Sequence, residues 1–164
     1  MRLWRLQPSR HPVDGVGASL FDGRWHFASS DVRILYASES LALAALEVLV
    51  NTGPEEVPGD LTAYLLELPD ELTATEMFPE LLPPGWDAVP PRTTSQEVGM
   101  DWLRTAKTPL LRVPSVIVPE ERNVLLNLVH PALAKVVPNR HRPFSFDSRL
   151  WRTTAAAASK PATR

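Results

Sequence analysis

Two side chains of this sequence stand out as able to carry chemistry: an arginine among aromatic residues and a glutamate within an apolar run. Arg24 lies between Gly23 and Trp25, and an arginine held among aromatic residues usually has an anionic partner, either a structural carboxylate or a ligand phosphate. Glu47 interrupts the Leu- and Ala-rich segment 41–50, where its neighbours at helical spacing are mostly apolar. A carboxylate buried there without partners is costly or takes up a proton, so Glu47 is a candidate for chemistry.

Together these two side chains suit the cleavage of a glycosidic bond to ribose. That reaction builds an oxocarbenium-like centre, which a carboxylate stabilises by its charge and by hydrogen bonds to the ribose hydroxyls. A nucleotide would supply phosphates for the arginine, and Tyr36 would offer a flat face to its base. A second interpretation stays open, in which Ser40, Ala44, Glu47 and Asn51 form a narrow stripe of one helix that faces solvent.

The elements that must position these residues are short, because 17 prolines break up the chain. The strongest helix signal is 38–50, with Ser38 as its N-cap and with Ala and Leu in its body. The sequence further predicts strands at 3–6, 32–37 and 62–68, a glycine loop at 14–18 and an irregular proline-rich segment at 79–92. A capping box at 94–97 is expected to open a short helix through Arg104, and Pro114 restricts a predicted strand at 110–119 to a sheet edge or a bulge. A short apolar segment at 123–127 and a last strand at 144–147 follow.

The composition predicts one globular domain and excludes several kinds of function. A chain of 164 residues with a net charge of −2 has no basic footprint for direct binding to nucleic acid or to an anionic membrane. It contains no cysteine, and its four histidines are far apart, so we expect no metal site. The N-terminal segment lacks the apolar core of a signal peptide, and no apolar run is long enough to span a bilayer, so we expect a cytoplasmic protein.

Several short motifs, in their order and spacing, resemble the RES-domain toxins of bacterial toxin–antitoxin pairs, a family named for its arginine, glutamate and serine. The resemblance runs through nearly the whole chain. Its carriers are Asp14-Gly15-Val16-Gly17-Ala18, Gly23-Arg24-Trp25, Leu35-Tyr36-Ala37-Ser38, Ala45-Leu46-Glu47, Val113-Pro114-Ser115, Asn123-Val124-Leu125-Leu126-Asn127 and His130-Pro131. We therefore expect a RES domain over residues 1–152 and a disordered tail over residues 153–164.

This resemblance implies a single compact α/β or α+β domain related to the ADP-ribosyltransferases. It implies an enzyme that consumes NAD by breaking the nicotinamide–ribose bond, by hydrolysis or phosphorolysis, with no cofactor beyond this substrate. It also implies an Xre-type antitoxin partner that blocks the active site. Two alternatives remain: an ADP-ribosyltransferase that modifies a specific protein, and a catalytically silent member that only binds its antitoxin.

The resemblance also implies roles for individual residues. Arg24 would hold the NAD phosphates or ribose, Tyr36 would pack at the nicotinamide end, and Glu47 would stabilise the oxocarbenium centre. Ser115 would hydrogen-bond the nucleotide, although by itself a serine in this position is typical of a hydroxyl that satisfies nearby backbone. The predicted NAD-binding residues also include Arg5, chosen from its place in the first strand, and Asn127.

The sequence departs from the family pattern in three places. The family commonly reads Gly-Gly-Arg-Trp-Asn, whereas Asp22 and His26 occupy the first and last positions here. Ala28-Ser29-Ser30 stands where the family usually has a glycine before the strand, and Leu128 replaces a usual proline. A histidine close to Arg24 would change the charge of the pocket below about pH 6.5, so the pH preference stays open.

Overall fold

A computed structural model describes residues 1–53, 56–134, 136 and 139–151. The strands are β1 (Arg2–Pro8), β2 (Ile34–Ser38), β3 (Leu61–Glu67), β4 (Ala74–Glu76), β5 (Leu110–Pro114), β6 (Arg122–Asn127) and β7 (Asn139–Pro143). The α-helices are α1 (Gly17–Leu20), α2 (Leu41–Thr52) and α3 (Thr93–Thr105), and short 3-10 turns cover Pro79–Leu81, Pro131–Leu133 and Ser148–Trp151. Residue 152 and the predicted tail at 153–164 lie outside the described residues.

These seven strands form one mixed sheet in the order β4-β5-β6-β2-β1-β3-β7. The pairings are antiparallel except that between β4 and β5, which is parallel. β1 and β3 pair along seven residues, whereas β1 and β2 share only the pair Trp4–Ser38. The two strands therefore separate from the Trp4–Ser38 pair toward Gln7 of β1 and Ile34 of β2, and a cleft lies between them.

Each face of the sheet is covered by its own apolar layer. One face carries a core of fully buried leucines and valines from β1, β2, β3, β5 and β6. The opposite face packs against α2 on one side and against α3 and the aromatic residues of the segment 18–36 on the other. The predicted α+β architecture in a single domain is confirmed, and the candidate site lies on the face that carries α2 and α3.

The start of α2 differs from the prediction. Ser40, not Ser38, is the N-cap, and its Oγ accepts the Leu43 backbone N–H at 3.0 Å. Ser38 is the last residue of β2, where it pairs with both Trp4 and Asn123. Strand pairing therefore holds Ser38 in extended backbone, and the helix begins at Leu41.

Three further predictions were wrong in detail. The capping box at 94–97 does not form: α3 begins at Thr93, and the Ser95 hydroxyl instead donates backward to the Arg92 carbonyl. The last strand is β7 at Asn139–Pro143, not 144–147, whose Phe144 and Phe146 rings pack edge to face beside the α2 layer. β5 is not an edge strand and has no bulge at Pro114; it ends there, beyond the pairing with β4 that stops at Arg112.

Candidate active site

The carboxylate of Glu47 lies at the centre of a polar cluster on the helix-covered face. Its Oε1 accepts one hydrogen bond from the Asn123 Nδ2 and another, at 3.2 Å, from the Ser115 hydroxyl. Both bonds are charge-assisted when the carboxylate is ionised. Among the described residues, the hydrogen bonds to this carboxylate reach Oε1, and none reaches Oε2.

The pairing register of β2 and β6 determines the orientation of the Asn123 side-chain amide. Ser38 on β2 lies opposite Asn123 on β6, and its hydroxyl donates to Asn123 Oδ1 at 2.7 Å. Because a hydroxyl donates to the amide oxygen, the amide nitrogen must face Glu47. Ser38 is buried, so this orientation is shielded from water.

Ser115 follows directly after β5 and is fully buried. Its Oγ accepts the backbone N–H groups of Ile117 and Val118 at 3.1 and 3.3 Å while its single proton points to Glu47. A serine hydroxyl offers one donor and two acceptor sites, and all three are used. The predicted contact of Ser115 with the nucleotide stays a prediction, whereas the geometry assigns its proton to Glu47.

Arg24 lies on a tight turn that packs against α3. The Gln96 amide nitrogen donates to the Gly23 carbonyl at 3.1 Å, and the buried Trp25 ring stacks on Trp86 with 6.1 Å between centroids. The fit leaves no room at Gly99, where a Cβ would lie 1.8 Å from the Trp25 carbonyl oxygen. The turn is therefore rigidly placed.

The Arg24 guanidinium uses one of its nitrogens on backbone. Its Nη1 donates to the carbonyls of Trp86 and Ala88 at 3.1 and 2.9 Å. Burial lowers the pKa of Arg24, and the nearby carboxylates of Glu47 and Asp87 partly offset that effect. The Glu47 carboxylate thus lies close enough to interact electrostatically with Arg24, and the guanidinium keeps donors for an anionic ligand.

Tyr36 extends this cluster along β2. Its hydroxyl oxygen accepts the Trp25 backbone N–H at 3.3 Å and lies 2.8 Å from His26 Nδ1. Burial raises the pKa of the Tyr36 hydroxyl, and the Arg5 and Arg24 guanidinium groups oppose the rise. The ring therefore stands between the two arginines and stays protonated at neutral pH.

A cleft of about 490 Å³ opens where β1 and β2 separate. Its lining includes Arg5 and Gln7 of β1, the glycine loop 14–17, and Tyr36. Arg5 bridges the gap, because its Nη1 donates to the Tyr36 carbonyl at 2.8 Å while its Nε donates to Gln7 Oε1 at 2.8 Å. Burial lowers the pKa of Arg5, and among the described residues no carboxylate forms an ion pair with it. An anionic group in the cleft would supply the missing counter-charge.

Asn127 lies apart from the Glu47 cluster. It is buried at the far end of β6, opposite Ile34, and its Oδ1 accepts the Val129 backbone N–H at 3.3 Å. Four residues separate it from Asn123, about 13 Å along a strand. Its predicted role in binding NAD stays a prediction.

The start of α2 is anchored by ion pairs on the sheet. Arg112 of β5 bonds the carboxylates of Glu39 and Glu76, the latter at 2.7 Å, and Ser40 Oγ donates to Glu121 Oε2 at 2.6 Å. These contacts fix the helix on which Glu47 is carried.

The residues that orient the three predicted side chains were not assigned this role from the sequence. They are Asn123 and Ser38 for Glu47, His26 for Tyr36, and Gln96 for the Arg24 turn. The one signal for Asn123 was its position at the start of a predicted apolar segment, four positions before Asn127. In a strand this spacing places the two amides on the same face.

No group of three or more His, Cys, Asp or Glu side chains in the part of the chain that the structure describes is placed to hold a metal ion. No helix within the described ranges combines the length and the apolar character needed to cross a membrane.

The fold and the cluster define a single-domain α+β protein whose arginine, glutamate and serine meet on one face of a mixed sheet. The model of the RES domain matches residues 2–147, and the chain belongs to the RES-domain family. The predicted family is therefore confirmed.

Known relatives agree with this placement. The chain is 40% identical over 144 residues to the "Prs ADP-ribosylating toxin" of Sphingobium sp. (strain YBL2), covering 85% of this chain and 87% of that protein. It is 35% identical over 155 residues to the "Toxin Res" of Photorhabdus laumondii subsp. laumondii, covering 92% and 97%. The fold resembles the crystal structure of the M. tuberculosis MbcT–MbcA toxin–antitoxin complex, with a TM-score of 0.69, 14% identity, and coverage of 91% of this chain and 85% of that one.

Proposed function

We propose that this protein is the toxin of a toxin–antitoxin pair and that it acts in the cytoplasm by cleaving NAD at the nicotinamide–ribose bond. The observation that carries the proposal is the Glu47 carboxylate, which is held through Oε1 by two donors and interacts electrostatically with the Arg24 guanidinium. Relatives that are 40% and 35% identical over the aligned residues are named as toxins, one of them as ADP-ribosylating.

In the proposed reaction, the bond between the ribose C1′ and the nicotinamide nitrogen breaks, and its electron pair leaves with nicotinamide. The ribose becomes an oxocarbenium ion, which the Glu47 carboxylate stabilises by charge. An oxygen of the acceptor then attacks C1′ and gives up its proton. Ser115 and Asn123 keep the carboxylate fixed during this change, so little reorganisation is needed.

The two arginines would share the anionic part of the substrate. Arg24 offers its remaining guanidinium donors near Glu47, and Arg5 lies in the adjacent cleft with Tyr36 between them. We assign the NAD diphosphate to these two cations and the nicotinamide end to the Tyr36 ring. The proposal requires no metal and no cofactor beyond the substrate.

A second candidate differs in the acceptor. The relative named ADP-ribosylating toxin favours transfer of ADP-ribose to a protein side chain, through the same bond cleavage. Water or inorganic phosphate as acceptor gives NAD degradation instead. We also propose that an antitoxin occludes the site, in line with the toxin–antitoxin complex of matching fold; its Xre type follows from the family resemblance.

The test is nicotinamide release from NAD by the purified chain, with and without phosphate and a cell extract. We expect release by the wild type and a loss of at least about a hundredfold in Glu47→Gln, as for the removal of one transition-state electrostatic contact. Glu97→Gln, an exposed helix glutamate, is the control and should behave as wild type. Label from NAD that appears on a protein supports the second candidate, and free ADP-ribose or its phosphate supports degradation. A folded protein that releases no nicotinamide under any of these conditions would refute the proposal.

A further inference from the structure

His26 is buried, and both of its ring nitrogens have partners. The side chain is 2% exposed, and Nε2 lies 3.0 Å from the Ala18 carbonyl oxygen and 3.1 Å from the Phe21 carbonyl oxygen. Because a carbonyl oxygen can only accept, Nε2 must carry a hydrogen. The loop around α1 therefore selects the tautomer of the ring.

The other nitrogen faces the Tyr36 hydroxyl. Burial lowers the pKa of His26, and the Ala18 and Phe21 carbonyls and the Asp22 carboxylate partly offset this effect, so the ring is neutral at pH 7 and Nδ1 is an acceptor. The Tyr36 hydroxyl already accepts the Trp25 N–H, and its own hydrogen is directed to His26 Nδ1 at 2.8 Å. The direction of donation is thus fixed in each bond: His26 Nε2 donates to the carbonyls beside α1, and the Tyr36 hydroxyl donates to His26 Nδ1.

The neighbouring backbone is shaped around this pair. A Cβ at Gly23 would lie 2.5 Å from His26 Cε1 and 2.8 Å from the Tyr36 hydroxyl oxygen. From α3, the Gln96 amide reaches the His26 carbonyl at 3.4 Å and holds the turn from the other side. The imidazole and the phenol are therefore confined to one arrangement.

We propose that His26 is a positioning residue for the reaction proposed above, on which this inference rests. By accepting the Tyr36 hydroxyl hydrogen at Nδ1, it fixes the ring that stands between Arg5 and Arg24. It also ties that ring to the loop 18–21, whose Leu20 and Phe21 side chains are largely exposed beside the cleft.

Two substitutions separate the functions of the two nitrogens. The amide of His26→Asn places an acceptor near the position of Nδ1, whereas the longer His26→Gln places a donor near Nε2 and removes the acceptor for Tyr36. We expect His26→Gln to raise the KM for NAD about threefold to tenfold, the size of one lost hydrogen bond. We expect His26→Asn to restore much of that loss. His130→Gln, at a turn outside the site, is the control and should leave KM unchanged.

A double-mutant cycle shows whether the effect passes through Tyr36. In a Tyr36→Phe background the hydroxyl is absent, so His26→Gln should add no further rise in KM. An equal rise in both backgrounds would overturn the proposal, because His26 would then act by another route.

A second readout does not depend on catalysis. Long-range proton–nitrogen NMR of ¹⁵N-histidine-labelled protein at pH 7 should show His26 with its hydrogen on Nε2. A hydrogen on Nδ1 would overturn the proposal. If the wild type cleaves no NAD, the proposed function fails by itself, and the NMR tautomer still decides whether His26 holds Tyr36 as described.

Discussion

The side-chain amide of Asn123 joins Glu47 to the central strands of the sheet: Nδ2 donates to Glu47 Oε1 while Oδ1 accepts the Ser38 hydroxyl. Ser38 and Asn123 are directly opposite each other on β2 and β6. The orientation of a carboxylate on a helix is therefore determined by the register of two strands. A slip of β6 by one residue in that pairing would turn Asn123 to the other face, away from Ser38 and Glu47.

Asn123→Ala should lower kcat for nicotinamide release about tenfold to a hundredfold. The substitution removes one donor to a charged group, a bond that contributes about 1.5–3 kcal/mol, and it frees the carboxylate to rotate. Steady-state kinetics of the variant, with circular dichroism to confirm folding, measure the effect. The control is Asn51→Ala on α2, the helix that carries Glu47. The Asn51 amide donates to the backbone carbonyl of Glu47 and not to its carboxylate. Equal kcat values for the Asn123 variant and wild type would show that the carboxylate is oriented by other means.

Arg24→Lys should raise the KM for NAD about tenfold or more while leaving thermal stability nearly unchanged. Lysine keeps the charge but presents a point donor, so it cannot bond the Trp86 and Ala88 carbonyls and a phosphate in the same fixed geometry. The matched control is Arg33→Lys. That arginine also donates through Nη1 to two backbone carbonyls, those of Ser30 and Val32, but lies outside the candidate site. A rise in KM of the same size in both variants would argue against a specific role for Arg24.

Gly99→Ala should destabilise the protein and displace the Arg24 turn. The added Cβ would meet the Trp25 carbonyl oxygen at 1.8 Å, a backbone atom that cannot move without its turn. Overpacking of this kind costs roughly 1–3 kcal/mol, which corresponds to a fall in Tm of roughly 2–12 °C for a domain of this size. Differential scanning fluorimetry gives the comparison.

Gly59→Ala is the control for that experiment, because a Cβ there meets no atom within 4 Å and the backbone has no positive φ. It should match wild type in both Tm and activity. A Gly99 variant with unchanged Tm would mean that α3 and the turn can separate at little cost.

β1, β2, β3 and β5 lie where strands were predicted, because local composition and turn signals determine where short strands begin and end. β4 was not predicted, and β6 was predicted only as a short apolar segment. The N-cap of α2 was not predictable, since two serines stand two residues apart and only the pairing of Ser38 with distant strands excludes it. The alternation of Phe144 and Phe146 predicted a strand, whereas it reflects two rings that pack beside α2. In both places tertiary contacts overrode the local pattern.

In the candidate site, too, some residues could be predicted from the local sequence and others only from the fold. Arg24 and Glu47 were predictable because a cation among aromatics and a carboxylate in an apolar helix are unusual by themselves. Asn123 was not, because it is 76 residues from Glu47 and only the fold brings the two together. From the sequence, His26 was expected to change the charge of the pocket below about pH 6.5. The structure instead buries it as a neutral acceptor, so its protonation moves to lower pH.

Because His26 is buried, we expect the free energy of unfolding to depend on pH. Burial lowers the pKa of His26 in the folded state below the value of about 6.5 that it has in an unfolded chain. Protons therefore bind more tightly to the unfolded state. The stability that His26 contributes is fully present above about pH 6.5 and is lost as the pH falls toward the lower folded pKa.

Urea unfolding of wild type and His26→Asn between pH 7.5 and pH 5 should show this directly. The free energy of unfolding of the wild type should fall relative to that of the variant as the pH decreases, because asparagine has no proton to bind. A His26→Asn curve that stays parallel to wild type over this range would show that the folded imidazole takes up its proton as easily as the unfolded one.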